Sequence, residues 1–307
     1  MISCPNVQKA EIRSHYNVAT PFYRLFWGRH IHHGLWEGTE TPDEAQQKLT
    51  DTVIRLAGLK SGSRILDVGC GMGGSSIHLA KARQCEVTGI TLSPVQRRWA
   101  SMAARWNGIS SQTRFLVADA ESVEFEPASF DVVWSLECTE HLFDKPAFFR
   151  RVASWLRPGG RAAICAWQAG DGPLSDSAVQ QVYDVCEGFL CPSLGSADDY
   201  RGWFTDAGLQ VERYCDWTSQ VAQTWEICAR RVERSRIHWL ARVIDRNQAL
   251  FLERFRTILR AYRTGAMTYG CWIASKPTDE QRRANHPVSE GANLNQPDGP
   301  EEVLLNS

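Results

Sequence analysis

The sequence predicts an α/β fold organised around a largely parallel β-sheet. Between residues 64 and 167, short apolar runs alternate with segments of helical periodicity, which is typical of consecutive βα units. The first apolar run leads directly into a glycine-rich turn, and a helical pattern follows it. Apolar residues make up 43% of the 307 residues and charged residues 22%, close to the averages of globular domains. A single α/β unit of about 250 residues is common, so this length does not require two domains.

Local signals delimit each element of this core. The predicted strands are 64–68, 85–91, 114–117, 131–136 and 161–167. The predicted helices are 75–83, 93–107 and 145–155. Ser93 suits the cap of the second helix and Pro94 its first position. Residues 131–136 are apolar on both faces, as expected of a central parallel strand. Residues 157–160, with sequence RPGG, should separate the third helix from the fifth strand.

The flanking regions are mainly helical. Residues 7–60 predict helices that an aromatic stretch at 16–36 interrupts. The downstream predictions are a helical region at 175–207, a strand at 209–217, a helical region at 219–263 and a final strand at 267–275. Residues 276–307 are rich in Pro, Asn, Glu and Gly, contain few apolar residues, and are predicted to be disordered.

Charge and composition argue against several classes of protein. The 34 basic and 35 acidic side chains give a net charge of −1, whereas a dedicated nucleic-acid-binding protein carries a basic excess. No run approaches about 18 consecutive apolar residues, the length that suggests a membrane span. Residues 1–13 lack the apolar centre of a secretory signal. The ten cysteines include no CxxC pair, so we interpret them as reduced packing thiols of a cytoplasmic protein.

The turn at 67–74, with sequence DVGCGMGG, formally satisfies the dinucleotide-binding pattern GxGxxG. Its glycines permit a tight turn and a close approach of a ligand to the backbone. Two observations argue against a nicotinamide dinucleotide. The carboxylate of Asp67 would repel a pyrophosphate, and no Asp or Glu lies at 87–118, where an acid should bind the ribose. The turn therefore favours a zwitterionic or cationic cofactor, with an NAD(P)-dependent oxidoreductase as the alternative from another class.

Motifs spread over residues 12–277 resemble class I S-adenosylmethionine-dependent methyltransferases. These motifs are the turn at 67–74, GITLSPVQ at 89–96, ADA at 118–120, FDVVW at 130–134, EH at 140–141, PGG at 158–160, HHGLW at 32–36, and Asp216-Trp217 with Val221 and Trp225. Within that class the sequence is most similar to γ-tocopherol C-methyltransferases, and more distantly to cyclopropane-fatty-acid and mycolic-acid synthases.

The resemblance implies a Rossmann-like, mostly parallel sheet of seven strands, with helices on both faces and a helical cap over the active site. It also implies an organisation along the chain. The expected regions are an N-terminal helical cap segment (1–60), an S-adenosylmethionine-binding core (61–170), a substrate-binding helical insertion with the final strands (171–277) and a disordered tail (278–307).

The cofactor-binding residues follow from the resemblance position by position. The residues expected around the methionine part of S-adenosylmethionine are Asp67, Gly69 and Gly71. Those expected around the ribose and adenine are Thr91, Leu92, Gln96, Asp119 and Ala120, with the Asp119 carboxylate receiving the exocyclic amine. Tyr16 should lie on an N-terminal helix that covers the cofactor. No metal is expected.

Methyl transfer to carbon or to a hydroxyl also requires loss of a proton, so a base should be present. Glu140 and His141 follow the fourth strand, at the edge where open α/β sheets bind ligands. They are the first catalytic candidates, and the acid that matches Glu140 lies at the catalytic centre of cyclopropane synthases. His33 and Tyr200 are the second candidates. The synthases have a histidine where this chain has Trp167 and a cysteine near the position of His33, which disfavours cyclopropanation.

Twelve tryptophans, several of them outside the predicted strands, indicate an aromatic ligand cavity. Aromatic faces also attract a sulfonium ion. The alternative for each ring is that it fills the core. The residues assigned to the substrate pocket are Tyr23, Trp36, Trp167 and Trp217.

We therefore expect a methyltransferase for an apolar prenylated, aromatic or terpenoid acceptor, with C-methylation by in-line transfer favoured by the tocopherol-type resemblance. The alternatives within the class are N- or O-methylation, and methylation of a prenyl alkene or prenyl diphosphate through a carbocation. A binding module that has lost turnover is the third class considered.

Residues 230–263 contain ten arginines and three acidic residues beside an apolar stripe. The favoured interpretation is a solvated outer face of a lid helix. The alternatives are peripheral contact with an anionic membrane surface and contact with a phosphorylated or acidic substrate. We expect a cytoplasmic monomer or homodimer, with membrane-peripheral placement as the variant and no nucleic-acid partner.

Overall fold

The computed structural model describes residues 1–26, 28, 30–235 and 253–281. The strands in chain order are β1 (Ile2–Ser3), β2 (Arg64–Val68), β3 (Glu86–Thr91), β4 (Thr113–Val117), β5 (Phe130–Leu136), β6 (Leu156–Ala169), β7 (Ser193–Leu194), β8 (Gln210–Asp216) and β9 (Met267–Ser275). The helices are α1 (Lys9–Phe26), α2 (Pro42–Leu56), α3 (Gly74–Arg83), α4 (Pro94–Trp106), α5 (Lys145–Trp155), α6 (Asp176–Phe189), α7 (Ala197–Asp206), α8 (Thr218–Ser235) and α9 (Phe255–Thr264).

Seven of these strands form one sheet in the order β4-β3-β2-β5-β6-β9-β8. Strands β2 to β6 are parallel to one another, and β9 runs antiparallel between β6 and β8. The predicted mostly parallel seven-stranded sheet is confirmed. From β2, the chain continues outward to β3 and β4 on one side and returns to β5 and β6 on the other. Ligands bind at such a switch point, outside the carboxyl ends of the strands.

Alternating side chains of the sheet enter two separate apolar clusters. Ile65 belongs to one cluster and Leu66 to the other, as the two-residue period of a strand requires. The first cluster includes Leu49 of α2 and Leu79 of α3, and the second includes Phe148 of α5. Helices therefore cover both faces, and both sides of the central strands are buried.

The predicted helix start at Ser93-Pro94 is confirmed. The Ser93 hydroxyl accepts a hydrogen bond from the amide of Gln96, and Pro94 occupies the first helical turn. The same hydroxyl donates to Oδ1 of Asn17 at 2.7 Å. The cap that begins α4 thus also attaches α1 to the carboxyl edge of the sheet.

Most boundaries lie within two residues of the prediction, and two differ by more. Helix α1 continues to Phe26, through half of the aromatic stretch, because Ile12, Tyr16, Ala19 and Tyr23 recur at helical spacing on its inner side. Strand β6 begins at Leu156 and so includes the predicted breaker. Leu156 pairs with Phe130 and Arg161 with Val132, so a bulge absorbs residues 157–160 within the strand.

Some sequence predictions lie partly outside the described residues. The tail prediction concerns mainly residues 282–307, and the centre of the arginine-rich segment falls in 236–252. Among the helices that the structure describes, none combines the length and the apolar character needed to cross a membrane. All ten cysteines are described; each is free, and eight are buried.

Candidate functional site

The glycine-rich turn lies at the carboxyl end of β2. Gly69 and Gly71 have φ values of 78° and 52°, in the left-handed region that glycine adopts without steric penalty. A Cβ at Gly69 would lie 2.5 Å from Cβ of Cys138, so the position has no space for a side chain. Helix α3 follows, and its N-cap residue, Gly73, provides no side-chain hydrogen bond to the first amides. The turn therefore presents backbone to whatever lies beside it.

The turn borders a cleft that we term the glycine-turn cavity. It encloses about 770 Å³, part of it open to solvent, and α1 contributes Ile12 and Tyr16 to its wall. The predicted cofactor-binding residues that line it are Tyr16, Asp67, Gly69, Gly71, Thr91, Leu92 and Gln96. These residues come from three separate segments of the chain, and the structure brings them together around one space.

Asp67, in β2, is one of the two acidic side chains among the described residues that line the glycine-turn cavity. Its Oδ2 accepts a hydrogen bond of 2.5 Å from the hydroxyl of Ser76. Burial raises the pKa of Asp67 to about 7, and the Ser76 hydrogen bond lowers it by a smaller amount. A cationic amine beside this carboxyl would favour its ionised form. The geometry therefore fits an amino-acid-bearing ligand better than a pyrophosphate.

A second space, the aromatic cavity, adjoins the first; its empty volume is about 490 Å³, part of it open to solvent. The residues that line it are His15, Tyr16, Tyr23, Ile31, Glu137, Glu140, His141, Trp167, Phe189 and Trp225. Four of these, Tyr16, Ile31, Glu137 and His141, also line the glycine-turn cavity. Among the described residues that line the aromatic cavity, none is Lys or Arg. A ligand here would contact aromatic rings, two carboxyl groups and two histidines.

Tyr16 and His141 are hydrogen-bonded in the wall between the two cavities. The distance from the Tyr16 hydroxyl to Nε2 of His141 is 2.7 Å, and Nδ1 of His141 lies 3.1 Å from the carbonyl oxygen of Leu190. Because a carbonyl only accepts, we assign the ring proton to Nδ1, so Nε2 accepts from Tyr16. Burial lowers the pKa of His141 to about 4, which keeps the ring neutral at ordinary pH.

Glu140 lies in the short 3₁₀ turn Thr139–His141 that follows β5. Its Oε1 accepts a hydrogen bond of 2.5 Å from the amide of Trp167, whereas its Oε2 has no hydrogen-bond partner within the described residues. The side chain is only 2% exposed. Burial raises the pKa of Glu140 to about 8. A carboxyl group with one unpartnered oxygen and a pKa near neutrality is suited to exchange a proton.

Glu137 was not among the sequence candidates, yet it lines both cavities. It is the residue directly after β5 and has a φ of 55°, in the left-handed region. Its carboxylate accepts hydrogen bonds from the backbone amide and Nδ1 of His33. The sequence offered one signal for Glu137, namely an acidic residue at the carboxyl end of a central strand. Its main partner, 104 positions away, could not be inferred from local pattern.

Two predicted cofactor residues lie outside the lining of the glycine-turn cavity. Asp119 forms an ion pair with Lys9 of α1, with 2.7 Å between Nζ and Oδ2. Lys9 also pairs with Glu121 at 2.6 Å. Ala120 is buried in the second apolar cluster. The carboxylate expected to receive the adenine amine is therefore engaged by a lysine in this structure.

Four further candidates are likewise outside both cavities. His33 is buried behind Glu137, and the Tyr200 hydroxyl is hydrogen-bonded to Thr139 at 2.6 Å within the second apolar cluster. Trp36 donates to the Thr224 hydroxyl at 2.9 Å and lines a separate small cavity. Trp217 is buried in the first apolar cluster. Of the predicted catalytic and substrate residues, the aromatic cavity brings together Tyr23, Glu140, His141 and Trp167.

Comparisons with known proteins agree with this architecture. The family model described as mycolic acid cyclopropane synthetase matches residues 5–269. A tocopherol O-methyltransferase, chloroplastic, of Arabidopsis thaliana is 31% identical over 288 residues, which cover 87% of this chain and 82% of that protein. A 27-O-demethylrifamycin SV methyltransferase of Amycolatopsis mediterranei is 33% identical over 248 residues, covering 80% and 90%.

Solved structures show the same fold at lower identity. The [4+2]-cyclase SpnF superposes with a TM-score of 0.79 at 23% identity, covering 91% of this chain and all of that chain. The cyclopropane synthase MmaA2 from Mycobacterium tuberculosis superposes with a TM-score of 0.77 at 19% identity, covering 88% and 99%.

Proposed function

Because the chain belongs to the mycolic acid cyclopropane synthetase family and is an S-adenosylmethionine-dependent methyltransferase, we propose that it methylates an apolar, hydroxyl-bearing small molecule held in the aromatic cavity. The observation that carries this proposal is the wall common to the two cavities, formed by Tyr16, Ile31, Glu137 and His141. Ligands in the two spaces would meet at this wall, as direct transfer between them requires.

The glycine-turn cavity is the proposed cofactor site. Asp67 would hold the amine, and the turn at Gly69 and Gly71 would leave room for the methionine part. Thr91 and Gln96, whose side chains are hydrogen-bonded to each other at 2.8 Å, would face the ribose. When bound, S-adenosylmethionine supplies an activated methyl group on a sulfonium, so the protein mainly orients the nucleophile and excludes water.

Tyr16 and Glu140 have distinct proposed roles toward the acceptor. The hydrogen bond from Tyr16 to His141 holds both side chains in the common wall, so Tyr16 would orient the acceptor there by ring contact and leave the single proton of the acceptor hydroxyl to Glu140. Glu140, through its unpartnered Oε2, would take the proton that the acceptor loses as its bond to the methyl group forms. The proton thus moves from the acceptor to a carboxylate whose raised pKa suits it to receive one.

The acceptor we propose is phenol-like and methylated on a ring carbon. Loss of the phenolic proton to Glu140 places negative charge on the oxygen and on ring carbons, so the same base serves transfer to either atom. After transfer to carbon, the hydrogen on that ring carbon leaves as a proton and the oxygen regains one, so one proton is lost overall in either case. Methylation of the oxygen is the second candidate, since the names of the tocopherol and rifamycin relatives both specify O-methylation. A diphosphate acceptor is less well supported, because no Lys or Arg is found among the described residues of the aromatic cavity.

The cap and the insertion expected from the sequence would provide the walls. In the aromatic cavity, Tyr16 and Tyr23 come from α1, Phe189 from α6 and Trp225 from α8. We propose that residues 1–60 and 171–277 select the acceptor, whereas residues 61–170 hold the cofactor.

The test is incubation with methyl-labelled S-adenosylmethionine and a panel of prenylated phenols, indoles and prenyl diphosphates. We expect label in the phenols, and carbon NMR distinguishes a ring methyl from a methoxy group. Label confined to prenyl diphosphates, or label in no member of the panel, would contradict the proposal.

A further inference from the structure

We propose that Glu137 is a positioning residue, a carboxylate saturated with hydrogen bonds that fixes Trp167 in the wall of the aromatic cavity and leaves proton transfer to Glu140. This inference rests on the proposed function, because it divides two neighbouring acids of one site between two roles.

The hydrogen bonds of Glu137 occupy its whole accepting capacity. Its Oε1 accepts from the amide of His33 and from the hydroxyl of Tyr269, both at 2.8 Å. Its Oε2 accepts from Nδ1 of His33 at 2.8 Å and from Nε1 of Trp167 at 3.1 Å. An ionised carboxylate has about four accepting sites. None is left to receive a proton from an acceptor, although Glu137 lines both cavities.

The charge of Glu137 is stabilised by the same neighbours. Burial acts to raise its pKa, but the ring and the backbone amide of His33 outweigh burial, so the pKa lies below the usual value for Glu. The group therefore stays ionised at neutral pH. Glu140 differs on both counts, since one of its oxygens is unpartnered and burial raises its pKa to about 8.

The backbone at Glu137 is also constrained. Its φ of 55° is uncommon for a residue with a side chain. The Glu137 amide donates to the carbonyl oxygen of Cys165 in β6 at 2.8 Å. Strained residues of this kind persist when the surrounding structure determines them, and they cluster at functional sites.

The three partners of Glu137 come from distant parts of the chain. His33 precedes α2, Trp167 belongs to β6 and Tyr269 to β9. The Trp167 ring in turn lies 5.0 Å from Phe189 and 5.7 Å from Trp225, between ring centres. The hydrogen bond at Nε1 of Trp167 therefore fixes the position of one ring that lines the aromatic cavity, and with it the shape of the space for the acceptor.

The first experiment compares Glu137→Gln with Glu140→Gln in the full chain. Glutamine at 137 offers one oxygen to the four donors that Glu137 now binds, and its NH₂ group, itself a donor, would face two of them. The hydrogen bond from Trp167 should therefore be lost. We expect the KM for the acceptor to rise at least tenfold, kcat to change by less than fivefold, and the dependence of rate on pH to be retained. If Glu137→Gln instead abolishes the pH dependence that Glu140→Gln is expected to abolish, Glu137 is the base and the inference is wrong.

The second experiment needs neither turnover nor the Glu137 variant. The protein is labelled with 5-fluorotryptophan, and the Trp167 resonance is assigned by its loss in Trp167→Phe. Tyr269→Phe removes one donor to Glu137, and Tyr269 lines neither cavity. We expect Tyr269→Phe to move the Trp167 resonance, and an unmoved resonance would overturn the inference.

The two proposals can fail separately. A wild-type protein that methylates no acceptor, but whose Trp167 resonance responds to Tyr269→Phe, would refute the proposed function and support the positioning role. A wild-type protein that methylates phenols, but whose Trp167 resonance is insensitive, would support the proposed function and refute the positioning role.

Discussion

The two cavities meet at one wall but are built in different ways. The glycine-turn cavity takes much of its lining from residues that directly follow β2, β3 and β5, and at Gly69 and Gly71 the lining is backbone. The aromatic cavity is assembled from large side chains of α1, β6, α6 and α8. The first is therefore defined by main-chain shape, and it should be sensitive to added volume. The second is defined by side chains, and it should be sensitive to changes in their polarity and charge.

The largest effect is expected from Glu140→Gln, which tests the side-chain chemistry of the aromatic cavity. Removing a general base typically slows turnover by about 10²- to 10⁴-fold. In the wild type, kcat/KM should rise with pH through about 8, where the Glu140 carboxyl loses its proton, and the variant should lack this rise.

The control for Glu140→Gln is Glu124→Gln, which changes an exposed acid. It should leave rates and pH dependence unaltered. If the turnover of Glu140→Gln stays within about threefold of wild type, under ~0.7 kcal/mol of barrier, then Glu140 has a structural role.

Gly71→Val tests the backbone-defined cavity. A valine at a φ of 52° is strained, and its side chain would project from a residue that lines the glycine-turn cavity. We expect affinity for S-adenosylhomocysteine to fall by at least about 100-fold, or ~2.7 kcal/mol, as measured by calorimetric titration.

Gly108→Val provides the matched control. Gly108 has a φ of 71°, and nothing lies within 4 Å of the Cβ that would be added there. Because its backbone is similarly strained, the Gly108→Val variant should lose a similar amount of stability as Gly71→Val but keep its affinity for S-adenosylhomocysteine. Equal affinity losses in the two variants would show that strain, not cavity volume, is responsible.

The pH dependence of the free energy of unfolding tests whether the Glu140 carboxyl of the aromatic cavity is protonated near neutral pH. The pKa of Glu140 is raised from 4.5 to about 8, so between these values the folded protein binds more protons than the unfolded chain. The free energy of unfolding of wild type should therefore fall relative to Glu140→Gln as pH rises from 5.5 to 7.5, by at most about 1.4 kcal/mol per pH unit. Urea titration of both proteins measures this difference, and a constant difference would contradict the assignment.

Tyr16→Phe should have the smallest of these effects. It removes the hydroxyl that donates to His141 and keeps the ring. We expect kcat/KM for the acceptor to fall about tenfold, equivalent to ~1.4 kcal/mol, with cofactor affinity nearly unchanged. Tyr23→Phe is the comparison, because Tyr23 lines only the aromatic cavity, and an equal loss in both variants would indicate that the Tyr16–His141 bond has no special role.

The core elements could be predicted closely because local signals define them. The apolar run at 64–68, the cap at Ser93 and the final strand at 267–275 agree with β2, α4 and β9. The bulge in β6 could not be predicted, since the RPGG segment reads as a break until the pairing of Leu156 with Phe130 is known. Pairing across a sheet depends on distant residues rather than on local pattern.

The site was predictable to the extent that its residues share a motif. Asp67, Gly69 and Gly71 follow one another, and the structure places all three in one cavity. Aromatic residues gave no comparable guide: Trp167 lines the aromatic cavity, whereas Trp217 is buried in the core. Both lie in apolar segments, so their separation depends on tertiary packing alone.

Helix α1 borders both cavities, and Lys9 in its first turn is joined to Asp119 and Glu121. A molecule that leaves either space beneath α1 would displace the same helix, so we expect the departure of the two products to be kinetically linked. Since Lys9 is partly exposed, salt should weaken its two ion pairs and increase the release rates of both products together. Measuring the release rate of each product at low and at high ionic strength tests this expectation.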